Sequence, residues 1–230
     1  MLFPARLVAW WRGCGSNEDQ TSVRRASGRS ITWTMRIFVA IDLDPEVRQK
    51  IARFLEGVRP FAPDARWVTP ESLHITLKFI GEQKPEQVEA IQQQLRAQAR
   101  KAATIHFTGT GFFPSQRAPR VFWIGIQAGP ELSELASRID AATAELGIRH
   151  EERSFSPHLT LARGHGGSGS PKWRKDDGPN TTFAVLQKRL ESMGPLEFGT
   201  MTAREFFLYQ SQLSPKGSKY TKLESFALPS

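Results

Sequence analysis

The sequence holds a single cysteine, Cys14, in 230 residues. A lone thiol excludes an internal disulfide framework and any zinc site built from several cysteines, and it suits a reducing, cytoplasmic setting. No apolar run approaches the roughly 20 residues that a membrane-crossing helix needs, so no membrane partner is expected. Neither a His-Glu-x-x-His zinc motif nor a phosphate-cradling P-loop with its lysine occurs, which speaks against metalloprotease chemistry and ATP-driven ligation. Acidic residues are also in deficit: 23 Asp and Glu face 31 Lys and Arg, a formal charge of +8. That surplus favours phosphate-bearing partners without naming one. What is present is a folded-protein composition, 39% hydrophobic and 23% charged, with ample length for a hydrophobic core.

The charge is unevenly placed. Residues 1–34 carry Arg6, Arg12, Arg24, Arg25 and Arg29 against Glu18 and Asp19, and the apolar stretch Leu7 to Trp11 is too short for a convincing signal-peptide core. They are expected to be a disordered N-terminal extension, an organelle transit peptide being the alternative. The folded part then spans 35–230 with a charge of +5.

From Met35 the pattern becomes regular. Arg36 to Asp42 reads as a buried strand. Asp44-Pro45-Glu46 reads as a helix start, with Asp44 as the N-cap, and Val47, Ile51, Leu55 and Val58 then repeat at helical spacing. Strands around Arg66 to Thr69 and from His74 to Ile80 lead to a second helix near Pro85. Ile105 to Phe113, loosened by Gly109 and Gly111, and Arg120 to Gln127 read as strands. A third helix runs from Pro130 towards Gly147, and Phe155 to Arg163 is a further strand. A glycine-rich basic loop over 164–180 and a short helix over 182–192 follow. Ala203 to Gln212 and Tyr220 to Ala227 close the chain as strands. The mixed order implies α+β layering around antiparallel or mixed sheets.

Two tetrapeptides carry the chemistry: His74-Ile75-Thr76-Leu77 and His158-Leu159-Thr160-Leu161. Strand side chains alternate between faces, so each His and Thr project together while the aliphatic residues back them. The bare spacing is weakly specific, since His106-Phe107-Thr108 shares it. That third motif runs into Gly109 and Gly111, a bent or bulged context, and is set aside as structural. Each chosen motif is followed by a cation, Lys78 or Arg163. Half-buried structural histidines are the plainer reading of either motif alone, but the repetition in two similar halves favours function. No carboxylate or cysteine stands at ligand spacing beside either histidine, so neither a metal nor any other cofactor is expected.

The chain from Met35 onward resembles the two-histidine phosphoesterases, specifically the LigT-like RNA 2′,3′-cyclic phosphodiesterases. The resemblance rests on both motifs, on Met35 to Asp42, Arg66-Trp67-Val68, Lys78 to Gly81, Pro119 to Trp123, Phe155 to His158, and Ser211 to Gly217 with Tyr220. It implies a bilobal fold, two lobes related by a rough twofold around a central cleft. It also implies hydrolysis of RNA or nucleoside 2′,3′-cyclic phosphate ends to 2′-phosphate, with 2′-5′ RNA ligation as the reverse. In the family's assignment His74 donates the proton and His158 accepts it; from the residues alone the two roles are exchangeable. Thr76 and Thr160 would bond the phosphate oxygens, and Arg163 or Lys78 would offset their charge. Tyr220 and Arg120 are cleft residues by resemblance. Trp67, Phe113 and Trp123 are candidates for base stacking, with core packing as the alternative. Lys172, Arg174 and Lys175 could track an RNA backbone or simply be solvated. A monomer is expected, because no apolar repeat is left over once the core is assigned. The rival from another class is a non-catalytic binder of RNA ends or nucleotides using the same cleft.

Overall fold

The structure, a computed structural model, describes residues 33–98, 101–164, 181–214 and 217–229. The expected N-terminal extension up to residue 32, with Cys14, lies outside them, as do Lys172, Arg174 and Lys175. All elements belong to the unit Thr34–Ser230. They run β1 (Met35–Asp42), α1 (Pro45–Val58), β2 (Arg66–Trp67), β3 (His74–Gln83), α2 (Pro85–Arg96), β4 (Ala103–Phe113), β5 (Val121–Ala128), α3 (Pro130–Ala144), β6 (His158–Arg163), α4 (Ala184–Glu191), β7 (Glu197–Ala203), β8 (Glu205–Ser214) and β9 (Gly217–Ala227).

Among the described residues nine strands form two sheets, ordered β3-β1-β8-β9 and β2-β6-β5-β4-β7. Every pairing is antiparallel. The α+β class therefore holds, with no parallel pairing among the described residues. Helices tie the sheets together. α1 follows β1 of the first sheet yet packs on β7 of the second, while α3 follows β5 of the second and packs on β3 of the first. One continuous apolar core results, with residues from both sheets and all four helices.

α1 buries Val47, Ile51, Leu55 and Val58, the four residues its periodicity selected. Fully burying side chains of this kind stabilises by about 1.5–3 kcal/mol each. Its start differs from expectation. Asp44 makes no side-chain cap bond, and the first turn is instead set by Pro45, whose fixed φ suits the first helical position, and by Glu46 at the positive helix end. β7 is the one strand absent from the sequence reading. It is seven residues long, and Gly199 sits in it at φ 113 where the pairing with β4 slips by one residue. Such a glycine breaks the alternation by which short strands are recognised. No helix among the described residues is long and apolar enough to cross a membrane.

Behind β3 lies an internal ion pair. Lys78 is 2% exposed, and its ammonium bonds Asp140 of α3 and the Arg149 carbonyl at 2.7 Å, with Glu151 at 3.7 Å. His150 donates from Nδ1 to the other Asp140 oxygen at 2.8 Å. Removing one partner of a buried pair costs about 3–5 kcal/mol, because it strands the other charge. The Arg149 carbonyl and the Glu151 carboxylate would remain, so Asp140→Ala is expected to lower stability by about 3 kcal/mol, the lower end of that range. Urea unfolding would show this as a lower midpoint at unchanged slope. A change below about 0.5 kcal/mol would mean that this carboxylate does not hold Lys78.

Candidate active site

His74 opens β3 and His158 opens β6, and these two strands approach one another where the sheets meet. The two histidines are anchored alike. Nδ1 of His74 lies 2.8 Å from the Ser72 carbonyl, and Nδ1 of His158 lies 2.8 Å from the Ser156 carbonyl. A carbonyl only accepts, so each Nδ1 carries the hydrogen and each neutral ring leaves Nε2 bare. The carbonyl two residues upstream thus fixes both tautomer and ring direction at each site.

Cross-strand partners share a face of the sheet. Asp42 and Ala40 of β1 stand opposite His74 and Thr76, while Gly125 and Trp123 of β5 stand opposite His158 and Thr160. Ile75, Leu77, Leu159 and Leu161 are buried on the far face, as the alternation predicts. Immediately after each threonine the ladder then slips by one residue. Ala40 pairs with Thr76 but Val39 with Lys78, and Trp123 pairs with Thr160 but Phe122 with Ala162. A bulge of this kind reverses the phase of everything beyond it.

The slip decides which cation belongs to the site. Lys78, four residues after His74, would share its face in a regular strand; the bulge turns it to the back, into the ion pair with Asp140. The expectation that Lys78 could offset phosphate charge is therefore overturned. Arg163, five residues after His158, would face away in a regular strand. Instead it comes to the front, where its charge acts on both His74 and His158.

The His74 side is aromatic. Phe38 lies 4.9 Å from the His74 ring, Tyr220 meets it edge-on at 5.1 Å, and Tyr209 stacks on Phe38 at 5.2 Å. Tyr220 is also close enough to act electrostatically on Arg163, so it borders both motifs. A cavity of about 480 Å³ opens here, lined by Asp42, His74, Tyr209, Tyr220 and Lys222 among others. Asp42 is its hub: it accepts from the Leu43 N–H at 3.0 Å, pairs with Lys222 at 2.7 Å, and is bonded by Arg48. Burial opposes its ionisation, but the Lys222 hydrogen bond and the Arg48 and Lys222 charges outweigh that and hold its carboxyl below the ordinary value. Burial and the Asp42 charge push the Tyr209 hydroxyl well above its ordinary range, so it stays protonated and donates to Asp42. Arg48 also donates to the carbonyls of Pro70, Leu43 and Leu73, tethering the segment whose Ser72 carbonyl aims His74.

On the other side Phe113 meets His158 edge-on at 4.9 Å and packs on Trp123 at 5.1 Å. Gly111 lies under Trp123, where any side chain would overlap the indole. Two of the three expected stacking candidates therefore line this face. Trp67 does not: it donates to the Ala62 carbonyl at 2.9 Å and packs edge-on against Phe122 in the core. Arg120 precedes β5, its carbonyl accepting from the Gly164 N–H at 2.8 Å. His106 pairs with Thr200 at 2.7 Å between β4 and β7, outside the site. Asp42, Arg48, Tyr209 and Phe38 were missed by sequence reasoning, since each reads locally as an ordinary strand or helix residue.

Burial drives both imidazoles below their ordinary value. His74 falls to about 4, burial being opposed by the Ser72 bond and Asp42 and assisted by Arg163 and Arg48. For His158, burial is opposed by the Ser156 bond and assisted by Arg163. Among the described residues no three His, Cys, Asp or Glu side chains converge as metal ligands.

Two antiparallel sheets that each present a His-x-Thr strand where they meet define the class of the two-histidine phosphoesterases. The comparisons agree and are more particular. The family described as LigT like Phosphoesterase matches the chain twice, over residues 41–123 and 124–220, once across each motif. An RNA 2′,3′-cyclic phosphodiesterase of Archaeoglobus fulgidus is 35% identical over 192 residues, covering 84% of this chain and 99% of that one. Another from Methanothermobacter thermautotrophicus is 31% identical over 196 residues, again 84% and 99%. The crystal structure of Escherichia coli LigT complexed with 3′-AMP superposes with a TM-score of 0.65 at 26% identity, over 86% of this chain and 99% of that one. This chain belongs to the LigT-like phosphoesterases.

Two variants separate the roles of the two cations. Arg163→Met is expected to weaken binding of a nucleoside monophosphate about tenfold or more, the value of a charge-assisted hydrogen bond. Lys78→Met should leave that affinity within about twofold, since its charge lies behind the sheet. Isothermal titration of the two variants checks this; equal losses would place Lys78 at the phosphate after all.

Proposed function

We propose that this protein hydrolyses RNA or nucleotide ends bearing a 2′,3′-cyclic phosphate to the 2′-phosphate by acid–base catalysis between His74 and His158, without a metal. The observation that carries the reading is the matched tethering of the two imidazoles. Each has Nδ1 committed to a backbone carbonyl, which leaves both Nε2 atoms for proton transfer on neighbouring strands. The relatives named as RNA 2′,3′-cyclic phosphodiesterases support the substrate class, and the 3′-AMP complex of LigT supports a nucleotide ligand.

In this reading His158 Nε2 takes a proton from water as its oxygen attacks phosphorus. The bond from phosphorus to the 3′-oxygen breaks, and His74 delivers its Nε2 proton to that oxygen. A terminal 2′-phosphate and a free 3′-hydroxyl result. The Thr76 and Thr160 hydroxyls donate to the non-bridging oxygens, and Arg163 offsets their charge. The sequence leaves the two histidines interchangeable, but their surroundings are unequal. Asp42 raises the proton affinity of His74, while no carboxylate is among the groups acting on His158. Burial nonetheless takes His74 down to about 4, so the assignment of His74 as the acid rests on the family resemblance. The phosphate's negative charge would raise both imidazoles on binding, so the acid is charged when it is needed. A 5′-hydroxyl in place of water would run the reverse reaction and leave a 2′-5′ linkage.

The test is product analysis on an oligonucleotide ending in a 2′,3′-cyclic phosphate. Only the 2′-phosphate should appear, in excess chelator as in its absence. Formation of the 3′-phosphate, or binding without turnover, would overturn the proposal. His74→Ala and His158→Ala should each lower kcat/KM by about 10²–10⁴-fold, the usual contribution of a positioned acid or base. The pH profile of kcat/KM should be a bell whose two apparent values belong to the coupled pair. Because burial lowers both imidazoles in the free enzyme, both values should fall below the ordinary histidine value of about 6.5. A bell centred at or above neutrality would contradict this environment.

A further inference from the structure

Phe79 is among the few large apolar side chains left open to solvent, 56% exposed, and its position is not accidental to the strand. It stands five residues after His74, as Arg163 stands five residues after His158. The bulge after Thr76 gives it the same reversal of phase. Without that slip Phe79 would lie in the core and Lys78 in front. A second slip follows at once, where Ile37 pairs with Gly81 and Phe38 with Phe79. Gly81, at φ 90, allows the strand to recover. Two irregularities within five residues therefore turn one phenyl ring outward on the face that carries His74 and Thr76.

That face is a continuous aromatic row. Tyr220 and Phe38 touch the His74 ring, at 5.1 and 4.9 Å, and Phe79 follows 6.2 Å beyond Phe38. The first two rings are half or fully buried and form the wall of the site. Phe79 alone in the row has a largely uncovered face. Aromatic platforms of this kind hold successive bases of a single strand and tolerate any base, because every base has a π-face.

We propose that Phe79 is a stacking platform for the base of the penultimate nucleotide, so that the enzyme prefers an RNA end to a free cyclic nucleotide. The inference rests on the acid–base reading above and deepens it. A cyclic phosphate held between the two His-x-Thr strands places the terminal nucleoside beside Tyr220, the half-buried ring that lines the cavity next to His74. The chain then leaves along β3, and the next base arrives one ring further out. The two motifs are consequently alike in chemistry and unlike at the position after the bulge: one strand offers a cation to the phosphate, the other a ring to the strand that bears it.

The experiment compares a nucleoside 2′,3′-cyclic phosphate with the dinucleotide that ends in the same group. The wild-type protein should favour the dinucleotide in kcat/KM. Phe79→Ala should reduce that ratio about tenfold, as expected for loss of one base–aromatic stack, while Phe79→Trp preserves it. A dinucleotide with an abasic penultimate sugar should reproduce the loss in the wild-type protein and lose nothing more in Phe79→Ala. Equal losses on both substrates, or an unchanged ratio, would overturn the platform. If the wild-type protein turns over neither substrate, it is the acid–base reading that fails, so the two failures are distinguishable. Circular dichroism of Phe79→Ala should match the wild type, because the side chain is exposed.

Discussion

A one-residue slip in the strand ladder, made once after each His-x-Thr, is the constraint on which the arrangement of this site depends. It acts through geometry alone. Side chains in a strand alternate strictly, so one additional residue exchanges front for back for the remainder of the strand. Here the exchange brings Arg163 and Phe79 forward and sends Lys78 into the interior. The slip lies beyond the threonines, so histidine and hydroxyl keep the regular alternation that makes them neighbours. Each strand thus combines a regular segment that carries the acid–base groups with a reversed segment that carries what surrounds them.

The second element is the backbone tether of each imidazole, and here the two halves diverge. The carbonyls of Ser72 and Ser156 aim the rings in the same manner, but only the first is held in a charged lattice. Arg48 joins the Asp42 carboxylate to the carbonyls of Leu43, Pro70 and Leu73, across the start of α1, the end of β1 and the segment entering β3. Lys222 and Tyr209 complete the set around Asp42. His74 consequently sits beside a carboxylate that stays ionised, inside an aromatic wall. His158 meets Phe113 edge-on and feels the Arg163 charge, with no carboxylate among the described residues acting on it. Near-identical tetrapeptides are thereby given different surroundings, and the difference comes from residues outside both motifs.

Much of the fold was legible in the sequence because it obeys two periods. The stripe on α1, the strands of both motifs and the α+β layering follow directly from spacings of 3.6 and 2. What could not be read is where the period fails. Lys78 and Arg163 were equally placed as candidate cations, since a bulge leaves no residue signature of its own, whereas the pairing partner determines it. β7 escaped notice for the same reason, its alternation interrupted at Gly199. The pairing of Asp42 with Arg48, Tyr209 and Lys222 gathers four elements that no local pattern relates. Trp67 was a candidate for the cleft, but β2 pairs it with Ala162 on the core side of β6, a register invisible in a two-residue strand.

The buried ion pair behind β3 and the open ring in front of it are two consequences of one backbone choice. A lysine ammonium cannot stay charged in a core without partners, so the bulge that buries Lys78 requires Asp140 of α3 and the Arg149 carbonyl at that depth. α3 belongs in sequence to the second sheet and packs on the first. Its carboxylate therefore holds Lys78 to the back and, through the alternation of the strand, Phe79 to the front. Asp140, with Glu151 at 3.7 Å, supplies the carboxylates that a buried ammonium needs at this depth. The ion pair and the aromatic row should therefore be regarded as opposite faces of a single device.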